Sequence, residues 1–197
     1  MGKGDRWEDH YARRARREKW LARSVYKLEE VDRKFKFLHT GDHLLDLGCY
    51  PGSWSQYGVK KVGPRGDVVG VDLKEPDGLS APNLRFIKAD VFTLDVEWLT
   101  TEIGPRDVVL SDMAPQTSGI RIADTSHSLE LAGKALSIAV AVLKQKGDFL
   151  VKVFEGEGLK TFRADLSRHF AAVRSFRPSA VRKGSREIYL LGLKLVK

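Results

Sequence analysis

The stretch DLGCYPGSW, residues 46–54, decides the fold because it connects an apolar run to a segment with helical periodicity. A strand that ends in a tight turn can bring its backbone close to a bound nucleotide, and glycine permits that approach. Gly48 and Gly52 fit this need, although any turn between a strand and a helix favours glycine. The spacing differs from the Gly-x-Gly-x-x-Gly fingerprint, and Pro51 stands where that fingerprint opens its helix. The stretch therefore indicates a cofactor loop and disfavours a nicotinamide oxidoreductase.

Short β-branched runs alternate with amphipathic segments along the chain, a pattern typical of parallel β-α units. Strands are predicted at residues 43–47, 68–72, 84–87, 108–111, 149–153, 173–176 and 188–193. Helices are predicted at residues 24–37, 54–62, 96–101, 126–144 and 159–170. The last two strands are near enough in sequence to pair antiparallel. We therefore expect an α/β fold with a mostly parallel seven-stranded sheet, an antiparallel C-terminal strand and helices on both faces.

The composition indicates a single globular domain. The chain has 197 residues, of which 42% are hydrophobic, so we expect a domain over residues 24–197 preceded by a basic arm over residues 1–23. Cys49 is the single cysteine and the five histidines lack ligand spacing, which excludes internal disulfides and argues against a metal site. Because no apolar stretch has membrane-spanning length and the N-terminus lacks an apolar signal core, the sequence predicts a cytoplasmic protein with no membrane partner.

Basic residues are concentrated at the two ends of the chain. Residues 1–40 hold 12 basic and 7 acidic side chains, residues 41–159 hold 12 and 17, and residues 160–197 hold 10 and 2. One basic end alone could serve solubility, but two basic ends around an acidic middle suit a polyanion. Arginines interleaved with aromatic residues over residues 11–20 favour RNA over a membrane surface. The C-terminal part of this basic surface is predicted at Arg163, Arg168, Arg174, Arg177, Arg182, Lys183 and Arg186.

Aspartates end several predicted strands, at the positions where such sheets bind ligands. Asp72 ends the second strand, Asp90 follows the third and Asp112 ends the fourth. Each alone could be an ordinary turn residue, but together with the glycine loop they predict a binding site. Asp72 can accept hydrogen bonds from both hydroxyls of a ribose. Carboxylates in place of arginines suit a cofactor with a hydroxylated ribose and a positive charge, which is the profile of S-adenosylmethionine.

Lys152 is an unexpected residue in the run FLVKVF, because a central strand is normally apolar on both faces. A side chain that reaches solvent at the strand end would explain it without any function. Its predicted neighbour is Asp112, and Glu187 at the start of the last strand could complete a charged cluster. Burial beside another cation lowers the pKa of a lysine, and a neutral amine can act as a general base.

Several motifs resemble the RrmJ/FtsJ family of ribose 2′-O-methyltransferases, and the match covers nearly the whole chain from residue 24 onward. They are SVYKL at 24–28, DLGCYPGSWSQY at 46–57, SDMAP at 111–115, VKVFEGEG at 151–158 and SREIYL at 185–190. The resemblance implies a Rossmann-like, S-adenosylmethionine-dependent methyltransferase fold. The chain departs from the family pattern at Cys49, Tyr50 and Ser53, and the arm before residue 24 does not align residue by residue.

The functional residues of the family fall inside the matching motifs. Its Lys-Asp-Lys-Glu catalytic tetrad would be Lys27, Asp112, Lys152 and Glu187. Its cofactor contacts would be Gly52, Trp54, Asp72, Asp90 and Asp112. By this resemblance Lys152 is the base, Asp112 holds its amine, and Glu187 balances Lys27.

The resemblance also implies the reaction, which is methyl transfer from S-adenosylmethionine to a ribose 2′-oxygen, expected on a uridine of large-subunit ribosomal RNA. The expected partner is ribosomal RNA or the large ribosomal subunit, and the expected oligomeric state is a monomer. A methyltransferase of the tRNA anticodon loop would share the same tetrad and stays open from the sequence. A second alternative is an RNA-binding ribosome-assembly factor without catalytic activity, against which the intact tetrad argues.

Overall fold

The computed structural model describes residues 10–116 and 118–196 and is built around one sheet. The strands are β1 (His43–Leu47), β2 (Asp67–Asp72), β3 (Leu84–Lys88), β4 (Arg106–Ser111), β5 (Leu143–Phe154), β6 (Phe170–Phe176) and β7 (Glu187–Leu195). Their order in the seven-stranded sheet is β3-β2-β1-β4-β5-β7-β6. Strand β7 runs antiparallel to both β5 and β6, and the other neighbouring pairs are parallel.

Helices cover both faces of this sheet. They are α1 (His10–Arg17), α2 (Val25–Phe35), α3 (Ser53–Val62), α4 (Val96–Ile103), α5 (Arg121–Val142) and α6 (Leu159–His169), with a 3₁₀ turn at Gly63–Arg65. Alternate strand residues point to opposite faces, so Leu44 packs with α2 and α3 whereas Leu45 packs with α4 and α5. Among the described helices, none is both long and apolar enough to cross a membrane.

The fold class predicted from the sequence is confirmed, with differences at the ends of some elements. Helix α5 begins at Arg121 rather than at residue 126, and it ends at Val142, where β5 follows directly. Aspartate and threonine commonly precede a helix, but Asp124 and Thr125 are buried within α5. Their polar side chains form hydrogen bonds with nearby residues. The Asp124 carboxylate accepts a hydrogen bond from the Ser118 amide, and the Thr125 hydroxyl donates to the Arg121 carbonyl, both at 2.7 Å.

The predicted basic arm contributes a helix, α1, that the sequence analysis did not predict. Residues 1–9 of the arm lie outside the described residues. Ala15 of α1 is buried in the core beside α2, and the Arg14 guanidinium lies 4.2 Å from the centre of the Tyr26 ring. An arginine on an aromatic face combines apolar contact with cation–π attraction. The part of the arm that is described therefore packs against the domain.

The carboxyl ends of the central parallel strands lie at one edge of the sheet. Strand β2 lies on one side of β1 and β4 on the other, so the chain reverses direction across the sheet between β1 and β4. Ligands of such sheets bind in the crevice outside that reversal. Gly48 follows β1 with a φ of 75°, and a Cβ atom there would lie 2.4 Å from Met113 Cγ. Glycine thus lets the loop after β1 approach the segment after β4.

Candidate active site

A cavity of about 430 Å³ lies outside the carboxyl ends of β1, β2 and β4. Three of the predicted cofactor residues, Asp72, Asp90 and Asp112, line it, and we call it the carboxylate cavity. Much of the remaining wall is apolar and comes from Val71, Leu73, Val91, Phe92, Met113 and Leu131. The described lining residues include no lysine or arginine. The cavity therefore favours a ligand with positive charge and apolar parts over one that brings phosphates.

Backbone amides orient two of these carboxylates. Asp72 accepts hydrogen bonds from the amides of Tyr50 and Lys74, at 2.9 and 3.1 Å. Asp90 accepts one from the amide of Phe92 at 2.9 Å. A carboxylate offers about four acceptor positions, so both side chains are held at the wall with acceptor capacity left for a ligand.

The other two predicted cofactor contacts, Gly52 and Trp54, are not among the residues that line the carboxylate cavity. Gly52 precedes α3 with a φ of 105°. Trp54 is buried, its indole nitrogen donates to the Ser24 carbonyl at 2.9 Å, and its ring centre lies 5.8 Å from that of Tyr189. The side chain of Trp54 thus joins α3 to α2 and β7. Contacts of both residues with a cofactor stay predictions.

The three positions that depart from the family pattern lie in the loop after β1 and at the start of α3. Tyr50 lines the carboxylate cavity, and its hydroxyl accepts a hydrogen bond from Lys74 Nζ at 2.7 Å. Cys49 and Ser53 are both buried, and the hydroxyl of Ser53 lies 2.8 Å from that of Ser24. Of the three departures, therefore, Tyr50 is the one that changes the cavity wall.

Lys152 and Asp112 form a buried ion pair at the carboxyl ends of β5 and β4. Lys152 Nζ lies 3.1 Å from Asp112 Oδ1 and donates to the Asp112 carbonyl at 2.6 Å, and the lysine side chain is 4% exposed. Burial alone would raise the pKa of Asp112, but the ammonium groups of Lys152 and Lys27, with a hydrogen bond from Tyr189, hold that pKa below its usual value. A lysine amine therefore lies next to an ionised carboxylate that also lines the carboxylate cavity.

Lys27 and Glu187 form a second ion pair beside the first. Lys27 Nζ donates to Glu187 Oε2 at 2.5 Å, and the two side chains are 12% and 20% exposed. The antiparallel register places Glu187 opposite Phe154 and Tyr189 opposite Lys152. The structure thus brings Lys27, Asp112, Lys152 and Glu187 together in what we call the charged cluster. Their catalytic roles stay predictions.

Tyr189 belongs to this cluster by contact, although it is not among the predicted site residues. Its hydroxyl donates to Asp112 Oδ1 at 2.7 Å, and its side chain is fully buried. Burial, with repulsion from the carboxylates of Asp112 and Glu187, holds the pKa of Tyr189 well above its usual value, so the hydroxyl stays a donor. The signal was present in the motif SREIYL, because residues two apart on a strand share a face and Tyr189 follows Glu187 by two.

Asp46 is a buried carboxylate directly behind the glycine loop. Its Oδ2 atom accepts a hydrogen bond from the Ser55 hydroxyl at 2.6 Å, and its Oδ1 atom has no hydrogen-bond partner among the described residues. Burial raises the pKa of Asp46 to about 7, and the Ser55 hydrogen bond offsets this only in part. Repulsion from Asp112 and Asp72 acts in the same direction as burial. The folded protein therefore retains a proton that an unfolded aspartate loses at about pH 4.

We predict that Asp46→Asn stabilises the protein at pH 8 and destabilises it near pH 4, where only the cost of the unpaired amide N–H remains. Because the folded state binds the extra proton, the contribution of Asp46 to stability falls as pH rises from about 4 to about 7, and a neutral side chain removes that loss. The expected gain at pH 8 is about 2 kcal/mol, since an unpaired amide N–H offsets part of it. Urea unfolding at both pH values measures it, with exposed Asp77→Asn as the control. If the free energy of unfolding of Asp46→Asn differed from that of wild type by the same amount at both pH values, the raised pKa of Asp46 would be contradicted.

The carboxylate cavity and the charged cluster together define the chemistry that the site can perform. The carboxylate cavity can hold a cationic ligand, and the charged cluster places the amine of Lys152 against one wall of that cavity through Asp112. An amine so placed is a group that can exchange a proton with a substrate bound beside the ligand. Across residues 10–116 and 118–196, no group of three or more His, Cys, Asp or Glu side chains could hold a metal ion.

Comparison with known proteins connects this chain to a family. The family described as FtsJ-like methyltransferase matches residues 20–195. A Desulfatibacillum aliphaticivorans protein named ribosomal RNA large subunit methyltransferase E is 48% identical over 187 residues, which cover 94% of this chain and 90% of that protein. A Bdellovibrio bacteriovorus protein of the same name is 46% identical over 188 residues, covering 94% of this chain and 95% of that protein.

A solved structure has a similar fold. It is a crystal structure of a Plasmodium falciparum protein described as a ribosomal RNA methyltransferase, with a TM-score of 0.80 and 29% sequence identity. The match covers 89% of this chain and 98% of that one. The motifs, the sheet order and the matched span agree, and the chain belongs to the FtsJ-like methyltransferase family.

Proposed function

We propose that this methyltransferase transfers a methyl group from S-adenosylmethionine to a ribose 2′-oxygen of large-subunit ribosomal RNA, on a uridine. The observation that carries the proposal is the contact of Lys152 Nζ with Asp112 Oδ1 at 3.1 Å, because Asp112 also lines the carboxylate cavity. One residue thus connects the place for a methyl donor to the group that would take the proton of the acceptor. The names of the two bacterial relatives support the choice of ribosomal RNA.

The carboxylate cavity fits S-adenosylmethionine by the chemistry of its wall. Asp72 has acceptor capacity for ribose hydroxyls, Asp90 can accept from a base amine, and Asp112 can balance positive charge. Gly48 and Met113 both line the cavity, and the absence of a Cβ atom at Gly48 lets these two parts of the wall lie close together. When bound, S-adenosylmethionine supplies a methyl group on a cationic sulfur.

The residues of the charged cluster then take separate roles. Once Lys152 has lost a proton to solvent, its neutral amine accepts at Nζ the proton that the 2′-hydroxyl loses as its oxygen gains the methyl group. Asp112 holds Nζ in place through Oδ1 and its own carbonyl. The pair formed by Lys27 and Glu187 lies beside this contact and orients the ribose.

RNA binding is proposed to use exposed basic residues around the charged cluster. Arg182 and Lys183 lie in the loop that leads to Glu187, and this loop is fixed on α2 because Glu30 accepts hydrogen bonds from the amides of Ser179 and Ala180, at 2.7 and 3.0 Å. Contacts with phosphates give affinity that falls with salt and carries little sequence preference. We expect the protein to act as a monomer in the cytoplasm and to take its specificity from the fold of the ribosomal RNA.

The proposal is tested by offering radiolabelled S-adenosylmethionine with one of three acceptors, which are undermodified large subunits, free ribosomal RNA and bulk tRNA. We expect label in the large subunit or its RNA. Label in tRNA alone would move the substrate to the anticodon loop. Tight binding of the cofactor without label in any acceptor would favour an RNA-binding assembly factor.

We predict that Asp72→Ala weakens binding of S-adenosylmethionine by about 10- to 100-fold, because a hydrogen bond to a charged group contributes about 1.5–3 kcal/mol. Isothermal titration calorimetry measures the dissociation constant directly. Asp77→Ala is the matched control, since Asp77 is an exposed aspartate of the same loop and does not line the cavity. Equal affinities of wild type and Asp72→Ala would remove Asp72 from the cofactor site.

A further inference from the structure

A second cavity, of about 460 Å³, shares no lining residue with the carboxylate cavity. It lies between the first two turns of α5 (residues 121–129), the loop of residues 155–158 after β5, and Arg186 before β7. We call it the β5–β7 cavity. These segments adjoin the charged cluster along the chain, since Lys152 is two residues before Phe154 and Glu187 follows Arg186.

The guanidinium of Arg186 is held in place at the wall of this cavity. It donates to the Thr125 hydroxyl at 2.6 Å and to the Arg121 carbonyl at 3.2 Å, and it lies 5.5 Å from the centre of the Phe154 ring. Thr125 is itself buried. A guanidinium carries five N–H donors in a fixed plane, so these contacts leave further donors in a defined orientation. An arginine restrained in this way loses little conformational entropy when it binds an anion or a base edge.

Apolar surface faces the same space. Ile122 lines the β5–β7 cavity and is 80% exposed, and Leu129 lines it two helical turns further along the same face of α5. The charge of Glu155 at the rim is balanced by Arg177, with Arg177 Nη1 donating to Glu155 Oε2 at 2.7 Å. A planar apolar group can therefore pack on the isoleucine while arginines contact its polar edge or an attached phosphate.

The position of the cavity indicates which ligand would meet it. Glu155 is the first residue after β5 that lines the cavity, and it follows Lys152 by three residues, or about 10 Å of extended chain. Val151 and Val153 pack with α5 whereas Lys152 points to the other face of β5, so the cavity and the charged cluster adjoin only where the strand ends. There Arg186 lines the cavity and the next residue, Glu187, belongs to the cluster. An RNA strand that brings one ribose to Lys152 would pass this opening with a neighbouring nucleotide.

We propose that the β5–β7 cavity binds an unstacked nucleotide of the RNA substrate, next to the ribose that is methylated. The base packs on Ile122 and Leu129, and Arg121 and Arg186 contact its polar edge or its phosphate. The inference rests on the proposed function for the identity of the RNA, but the binding it describes is measurable without methyl transfer.

The test blocks the cavity with Ser126→Trp, because Ser126 is exposed and lines it. Ser137→Trp is the matched control, since Ser137 is an exposed serine of the same helix outside the cavity. A second pair needs no large side chain, with Ile122→Glu in the cavity and Ile120→Glu, 64% exposed, outside its lining. Thermal unfolding and the dissociation constant of S-adenosylmethionine check that each variant is folded.

Filter binding to undermodified large subunits and to protein-free ribosomal RNA, with tRNA as competitor, gives the readout. We expect the dissociation constants of Ser126→Trp and Ile122→Glu for both RNAs to rise by about 5- to 100-fold, with both controls unchanged. Unchanged RNA binding by the cavity variants would overturn the proposal. A loss of binding to assembled subunits but not to protein-free RNA would also overturn it, because the cavity would then contact a ribosomal protein. Failure of the proposed function is a separate result, because wild type would then bind RNA without methylating it.

Discussion

Replacing Lys152 by alanine is expected to reduce methyl transfer by about 10²- to 10⁴-fold, the range that a positioned general base contributes. Its amine contacts Asp112 through two oxygen atoms and its side chain is 4% exposed, so the amine is held in one position. Lys152 does not line the carboxylate cavity, so binding of S-adenosylmethionine should change little. Single-turnover methylation and calorimetry measure the two effects separately.

Lys144→Ala is the matched control for Lys152→Ala. Lys144 lies on the same strand, and its amine contacts the carboxylate of Asp107 at 2.8 Å with 40% of its side chain exposed. Exposed ion pairs of this kind contribute about 0–1 kcal/mol, so the control should keep both activity and cofactor binding. A Lys152→Ala protein that methylates at the wild-type rate would exclude Lys152 as the base. Equal loss of cofactor binding and activity would instead assign Lys152 to the cofactor site.

Asp112→Asn is expected to lower both methyl transfer and cofactor affinity. Asp112 lines the carboxylate cavity, contacts Lys152 Nζ and accepts a hydrogen bond from Tyr189, so one change affects two parts of the site. Loss of a hydrogen bond to a charged group should weaken cofactor binding by about 10- to 100-fold. The rate at saturating cofactor should fall by about 10²-fold or more, because the Lys152 amine loses its partner.

The structure also predicts the effect of Asp112→Asn on stability. The ammonium groups near Asp112 hold its pKa low, so its carboxylate stabilises the fold above the pKa of an unfolded aspartate, about 3.9, and that contribution is lost as pH falls through the folded value. The variant should therefore be less stable than wild type at pH 7, and the difference should shrink in acid. Asp107→Asn, at the opposite end of β4, is the control. Unchanged cofactor affinity in Asp112→Asn would contradict the shared role of this residue.

The sequence predicts the sheet well because its strands have clear local signals. Strand β1 has the predicted limits, since an apolar run is bounded by a turn on each side. Lys152 is an exception to the apolar pattern of a buried strand, and the structure explains it by the contact with Asp112. An ionisable residue that breaks a strong local pattern therefore marks a candidate site for inspection in the structure.

Features that depend on contacts between distant segments were not predictable. Helix α1 packs through Ala15 and Tyr11 on the core beside α2, but this apolar face is confined to one helical turn among four arginines and is too short to indicate a helix from the sequence. Trp54 lies in the glycine-loop motif, and its burial against Tyr189 depends on β7. The wall of the β5–β7 cavity needs Arg186 beside Thr125, residues that are 61 positions apart. Local pattern determines the elements, whereas these contacts follow from how the elements pack.

The chemical position of the methyl group tests ribose methylation most directly. Undermodified large subunits are incubated with radiolabelled S-adenosylmethionine and either wild type or Lys152→Ala, and the extracted RNA is hydrolysed in alkali. Alkaline cleavage requires a free 2′-hydroxyl, so the account predicts that wild type gives label in a single dinucleotide that resists hydrolysis. Lys152→Ala should give almost no label despite binding the cofactor. Label recovered in mononucleotides would place the methyl group on a base and contradict ribose methylation.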